Sequence, residues 1–213
     1  GQILPVRKIA DMAHARGVDV MVDGAHAFGQ LEFAIPDLGG DYYGASLHKW
    51  LGCPLGTGLL YVKREKIAGR WPVFADLSVP DTDIRKLNHT GTHPVHTDLT
   101  IQDAIAFHDM IGIQRKEARL RFLQNYWTSR VRGVRNVALN TPADPRRSCA
   151  IANVGIAGMK PADLATTLLK KYKIWTVAID SANVHGVRIA PHLYTTTAEL
   201  DAFVRALTEM ASA

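Results

Sequence analysis

Asp23 and Lys49 are the residues around which the chemistry of this sequence can be written. A primary amine condenses with an aldehyde to a covalent Schiff base and can later act as a base. A carboxylate fixed beside a heteroaromatic nitrogen keeps that nitrogen protonated, and the ring then draws electrons from whatever is attached to it. Amine and acid on opposite ends of one ring are what pyridoxal phosphate needs. We therefore read Val20–Lys49 as half of a site for that cofactor, with Lys49 as the Schiff-base lysine and Asp23 as the partner of the pyridine nitrogen.

The elements around these two residues must bring them together. Pro5–Arg16 reads as a helix, with Pro5 in its first turn, Gly17 at its end, and Ile9, Met12 and Ala13 facing inward. Val18–Val22 follows as a buried parallel strand, which leaves Asp23 at the carboxyl end where open α/β sheets bind ligands. Asp41–Ser46 and Gly58–Lys63 read as two more strands, joined through the Lys49 segment and a turn rich in Gly and Pro. Residues 67–94 lack periodicity and read as a long loop with short elements, of the kind that crosses a functional surface or a subunit contact.

Further along, Thr97 reads as the N-cap of a helix to Ile111, and Gln114–Arg132 as a longer one with Leu120, Leu123, Trp127 and Val131 inward. Cys149–Ile156, Ile174–Ile179 and Val187–Ala190 read as strands, and Ala162–Tyr172 as a helix. The last helix opens with the capping box Thr196-Thr197-Ala198-Glu199. The expected fold class is α/β. Residues 1–96 form the C-terminal part of a mainly parallel large domain, and residues 97–213 a small α+β domain.

Composition narrows the function. Of the 213 residues, 47% are hydrophobic and 21% charged, which is ordinary globular usage. No apolar run is long enough to span a membrane. The net charge of +5 suits an anionic cofactor and carboxylate substrates. The basic cluster Arg115, Lys116, Arg119, Arg121, Arg130, Arg132 and Arg135 interleaves with apolar positions as the wet side of a helix does, so no nucleic-acid partner is expected. His89, His93 and His96 lie in a loop with no acid or thiolate to complete a set, and no metal is expected. Two cysteines far apart, Cys53 and Cys149, leave a reducing cytoplasm as the default location.

Taken together, Asp23-Gly24-Ala25-His26, Ser46-Leu47-His48-Lys49-Trp50, Pro54–Gly58, Gly91-Thr92 and Val187–Tyr194 resemble class V, fold-type I pyridoxal phosphate enzymes, most of all the isopenicillin N epimerase-like branch. The resemblance covers essentially the whole chain, in order. It implies that His26 contacts the phenolic oxygen of the cofactor, that Ser46 and His48 bind its phosphate, and that Thr92 reaches the phosphate of the neighbouring subunit in a homodimer. It implies that Arg188 grips the α-carboxylate of the substrate, a role that suits a planar guanidinium. His192 and Tyr194 would support Arg188, and Trp50 would pack.

The family usually runs to about twice this length, so the resemblance is to its C-terminal part. A front portion carrying a phosphate-binding helix end and a ring that stacks on the pyridine would be missing. Such a chain would expose a sheet edge, which favours pairing. The reactions open to it are those of an epimerase, an aminotransferase or a lyase. An alternative is a non-catalytic fragment or accessory chain that binds no cofactor alone. Cysteine desulfurase is less favoured: that chemistry needs a nucleophilic Cys on a mobile loop shortly before the arginine, and Asp180–Gly186 is short and has none.

Overall fold

The computed structural model describes residues 1–74, 78–89 and 91–212. Packing divides the chain into two compact units, Pro5–Ile113 and a second formed by Gly1–Leu4 with Gln114–Ala213. The boundary expected from composition, between 96 and 97, falls ahead of helices whose Ile101 and Ala104 pack on Leu47, Leu51 and Cys53 of the first unit.

In the first unit, α1 (Val6–His14) begins after Pro5 and is followed by Gly17 at φ +69°. Only Ala10 is fully covered; Ile9 and Met12, expected to face a core, are exposed. Three strands follow, β1 (Met21–Asp23), β2 (Tyr42–Ser46) and β3 (Gly58–Val62), in the order β1-β2-β3. β1 runs parallel to β2, with Asp23 opposite Gly44, and β2 pairs antiparallel with β3, with Ser46 opposite Gly58. β1 was expected to be buried. It is instead an edge strand among the described residues, and Met21 is 67% exposed. The reason is its single neighbour: a strand paired on one side only leaves part of its surface uncovered.

A buried acid ties the start of this unit together. Asp41 accepts hydrogen bonds from His14 Nε2 at 2.7 Å, the Val20 N–H at 2.8 Å and Lys63 Nζ at 3.3 Å. Burial by itself would raise its pKa, but these donors outweigh burial and hold the carboxyl well below the usual carboxylate range. After the loop, α2 (His96–Leu99) and α3 (Ile101–Ile111) replace the single helix expected here. Thr97 lies inside α2 rather than capping it, and its hydroxyl donates to Pro94 O.

In the second unit, α4 (Ile113–Val131), α5 (Pro161–Tyr172) and α6 (Thr197–Ser212) accompany a four-stranded antiparallel sheet. Its strands are β4 (Val137–Leu139), β5 (Ala152–Ile156), β6 (Val177–Ser181) and β7 (Val184–Ile189), in the order β4-β5-β7-β6. Leu123, Trp127 and Val131 of α4, Leu164 and Leu168 of α5 and Phe203 and Leu207 of α6 share one core with Val154 and Val187 of the sheet. The capping box of α6 is closed from both sides: the Thr196 N–H donates to Glu199 Oε2 at 2.7 Å, and the Glu199 N–H donates to Thr196 Oγ1 at 3.2 Å.

The short segment before Arg188, Asp180–Gly186, forms a hairpin. β6 and β7 pair through Ser181–Val184 around a two-residue turn, Ala182-Asn183, with φ values of 49° and 61°. Arg188 lies on β7, opposite Asn153 of β5 on one side and Val177 of β6 on the other. β4 had no counterpart in the sequence reading.

Candidate active site

Parallel pairing turns the carboxyl ends of β1 and β2 to one edge of the sheet, so Asp23 and Ser46 end adjacent strands there. Each strand then breaks into a turn. After Asp23 the chain turns tightly: the Ala25 N–H donates to Asp23 Oδ1 at 3.0 Å, and the Phe28 N–H donates to Gly24 O at 3.0 Å. Gly24 is required at this point. A Cβ there would lie 1.9 Å from the Tyr43 hydroxyl oxygen, and Tyr43 is buried against Phe28 and Phe33. Burial, aided by the negative charge of Asp23, pushes the Tyr43 phenol up to about 12. The phenol therefore stays neutral and donates to Gly24 O at 3.3 Å.

The second turn, residues 47–50, presents Lys49. Leu47 is buried and anchors it, its N–H donating to Thr57 O at 3.1 Å. His48 Nδ1 contacts that same carbonyl at 3.3 Å, which fixes the ring against the start of β3. Lys49 is half-buried, and its Nζ stands 3.5 Å from His26 Nε2. On the other side of the imidazole, the buried Trp50 donates its indole N–H to His26 Nδ1 at 3.3 Å. Gln30 holds the same residue from behind through its side-chain amide and His26 O.

The structure thus gathers Asp23, His26, Ser46, His48 and Lys49 within the unit Pro5–Ile113. Thr92 lies in the same unit, exposed, between Gly91 at φ +78° and His93, whose ring contacts Gly91 O and Asp98. Arg188 belongs to the second unit, where it lines a cavity of about 470 Å³ with Trp175, Ile189, Leu200 and Phe203. His192 and Tyr194 stack at 4.7 Å just beyond it. Two residues of the site were not singled out for it by the sequence: Tyr43, which shapes the turn, and Gln30. Trp50 was expected only to pack, and it also bonds to His26.

The donor set fits pyridoxal phosphate. Among the described residues no side chain bonds to the Asp23 carboxylate, whose one bond is the local one from Ala25. A strand-end carboxylate so placed is open to a ring N–H. An amine, a hydroxyl and two imidazoles share the edge with it. No group of three His, Cys, Asp or Glu able to hold a metal occurs among the described residues. No helix there is long and apolar enough to cross a membrane.

The family model described as "Aminotransferase class-V" matches residues 1–206. The chain belongs to the class-V aminotransferase family. Among curated relatives, an isopenicillin N epimerase of Amycolatopsis lactamdurans is 29% identical over 99% of this chain and 57% of its own length. A probable cysteine desulfurase of Halalkalibacterium halodurans is 28% identical over 79% of this chain and 43% of its own. The fold matches the apo structure of a cysteine desulfurase from Thermococcus onnurineus NA1 with a TM-score of 0.80 at 20% identity, covering 97% of this chain and 56% of that one. The fold is thus α/β, of fold type I, and this class-V chain spans little more than half the length of the relatives it matches.

Proposed function

We propose that this class-V chain carries the lysine end of a pyridoxal phosphate site and acts, epimerase-fashion, at the α-carbon of an amino acid. The observation that carries the reading is the 3.5 Å approach of Lys49 Nζ to His26 Nε2 on the sheet edge that Asp23 terminates. Lys49 would hold the cofactor covalently, Asp23 its pyridine N–H, His26 its phenolic oxygen, and Ser46 and His48 its phosphate. Bound there, the cofactor supplies an electron sink for charge that develops at the α-carbon.

The rest is work for the residues of the chain. Lys49 Nζ, free of the cofactor once substrate is bound, takes the α-proton and returns it. The Arg188 guanidinium donates two parallel hydrogen bonds to the substrate carboxylate and so orients the Cα–H bond. Thr92 reaches the phosphate of a second copy in a homodimer.

Two observations favour this over desulfuration. The segment before Arg188 is a tight hairpin without a cysteine. Both thiols are buried, and burial raises each pKa, that of Cys149 to about 11, which keeps them in the unreactive thiol form.

The test is absorbance and isotope exchange. With pyridoxal phosphate added, the chain should develop a near-ultraviolet to visible band that borohydride shifts, and substrate amino acids should take up deuterium at the α-carbon in D2O. Lys49→Ala should abolish both. A Lys49→Ala protein that keeps the band refutes the assignment. Sulfide release from cysteine without α-deuteration would move the reading to desulfurase. A chain that forms no band until a longer front portion is supplied would be an accessory piece, a reading favoured by the partial coverage of its relatives.

A further inference from the structure

Asn153 holds a buried donor with nothing to donate to, directly across the sheet from Arg188. Both backbone groups of Asn153 are used on the β4 side. Its N–H donates to Thr141 Oγ1 at 2.8 Å, and its carbonyl accepts from the Asn140 N–H at 3.0 Å. Toward β7, its register partner is Arg188. The two therefore form a non-hydrogen-bonded antiparallel pair, the kind in which facing side chains come closest.

Asn140 settles which way the Asn153 amide is turned. Asn140 Nδ2 donates to His185 O at 3.0 Å, and a carbonyl oxygen only accepts, so the Asn140 atom there is the nitrogen. The same nitrogen donates to Asn153 at 2.7 Å, so the Asn153 atom facing it is Oδ1. Gly186 leaves the room for this: a Cβ there would lie 2.7 Å from that oxygen. Nδ2 is left on the other side of the amide, without a hydrogen-bond partner, in a residue 5% exposed. Burying such a donor unpaired costs free energy, and native interiors seldom leave one so. Arg188 presents the same need. Its half-buried side chain has no hydrogen-bond or ion-pair partner among the described residues. A reversed Asn153 amide would offer its oxygen on the side where the donor now stands; the bond from Asn140 prevents that reversal.

We propose that Asn153 is a carboxylate-binding residue, its Nδ2–H donating to the same anion that Arg188 grips. The assignment rests on the reading of Arg188 as the carboxylate clamp given above. A guanidinium has no acceptor, and the one acceptor of the Asn153 side chain is already turned to Asn140. What answers both groups is therefore a ligand made of acceptors. An ionised carboxylate offers about four lone-pair sites. The guanidinium fork takes two parallel bonds, and the amide takes another from outside the fork, which selects one tilt of the carboxylate and so one direction for the bonds at the α-carbon. The amide nitrogen is covered in this structure, so a neighbour must move for a ligand to reach it. Arg188 has no bond to break and makes that movement as it takes up the carboxylate.

The experiment is a propionate titration of the full chain, labelled with 15N and measured without cofactor, with ionic strength held constant by chloride. The Arg188 Nε–H and the Asn153 side-chain amide are followed by 1H–15N correlation. Both should move along one common binding curve. Asn153→Asp keeps the acceptor that Asn140 uses and exchanges the donor for a second acceptor. It should weaken propionate binding by about tenfold or more, the scale of one hydrogen bond to a charged group, while circular dichroism stays unchanged. An Arg188 resonance that moves beside an Asn153 amide that does not overturns the role of Asn153 and leaves Arg188 its clamp. Movement of neither defeats both assignments. A folded Asn153→Asp that binds propionate as tightly as the unaltered chain also overturns the inference. The titration of the unaltered chain needs no variant, so an Asn153→Asp protein that fails to fold does not remove the test.

Discussion

At Gly24 one methyl group would change the shape of the site. The Cβ of any other residue would have to displace the Tyr43 hydroxyl, or the turn that carries Asp23 and His26 would have to move. Tyr43 has nowhere to go, since it is buried between two phenylalanine rings. Gly24→Ala should therefore cost about 1–3 kcal/mol, as overpacking does, and should weaken the cofactor band more than stability alone would require. Urea unfolding and a cofactor titration check both parts; a variant as stable as the parent, with undiminished binding, would contradict the packing described. Asp41 gives a prediction in pH. Its folded carboxyl binds a proton less readily than an unfolded one near 3.9, so its contribution is present above about pH 4 and is lost as pH falls toward its depressed folded value. Asp41→Asn should lower stability at pH 7 by on the order of 2 kcal/mol, the scale of a hydrogen bond to a charged group. It should also flatten the loss between pH 5 and pH 3; equal acid sensitivity in both proteins, followed by urea midpoint, would assign the pH dependence elsewhere.

At the level of elements, the β6–β7 hairpin shows what the sequence could and could not reveal. Its turn places Ala182 at φ 49° and Asn183 at 61°. Asn tolerates that region, but a residue with a Cβ and no local polar group pays roughly 1 kcal/mol or more for it. Ala182→Gly should therefore raise thermal stability slightly, and Ala182→Val should lower it; calorimetry showing the reverse order would reject the turn geometry. Without Gly at its turn the usual hairpin signature is missing, so the pairing is not visible in the sequence. β4 is three residues long and too short to show alternation, and β1 keeps only the end of the run Val18–Val22. By contrast, the α6 capping box and the apolar stripe of α4 are visible in sequence because each is local or periodic. The site divides the same way. Asp23 and Lys49 follow from strand ends and residue chemistry, whereas the Trp50–His26 bond joins residues 24 apart and exists only once both turns have formed.

On the scale of the whole molecule, the uncovered surfaces matter most. β1 ends its sheet, Met21 is two-thirds exposed, and Val18 just before it is more than half exposed. An edge of this kind pairs readily with another strand. The chain should self-associate as its concentration rises, and Met21→Lys should shift it toward monomer in light scattering coupled to gel filtration. A monomer at every concentration in both proteins would show that the edge is blunted by other means.

The division of the chain carries one more consequence. Gly1–Leu4 pack with Gln114–Ala213, and the Ile3 N–H donates to Arg147 O at 2.8 Å. Residues 1–4 thus belong to a body that residues 114–213 complete. A cut between residues 113 and 114 would not yield two intact pieces, because it would strand the opening tetrapeptide on the wrong one.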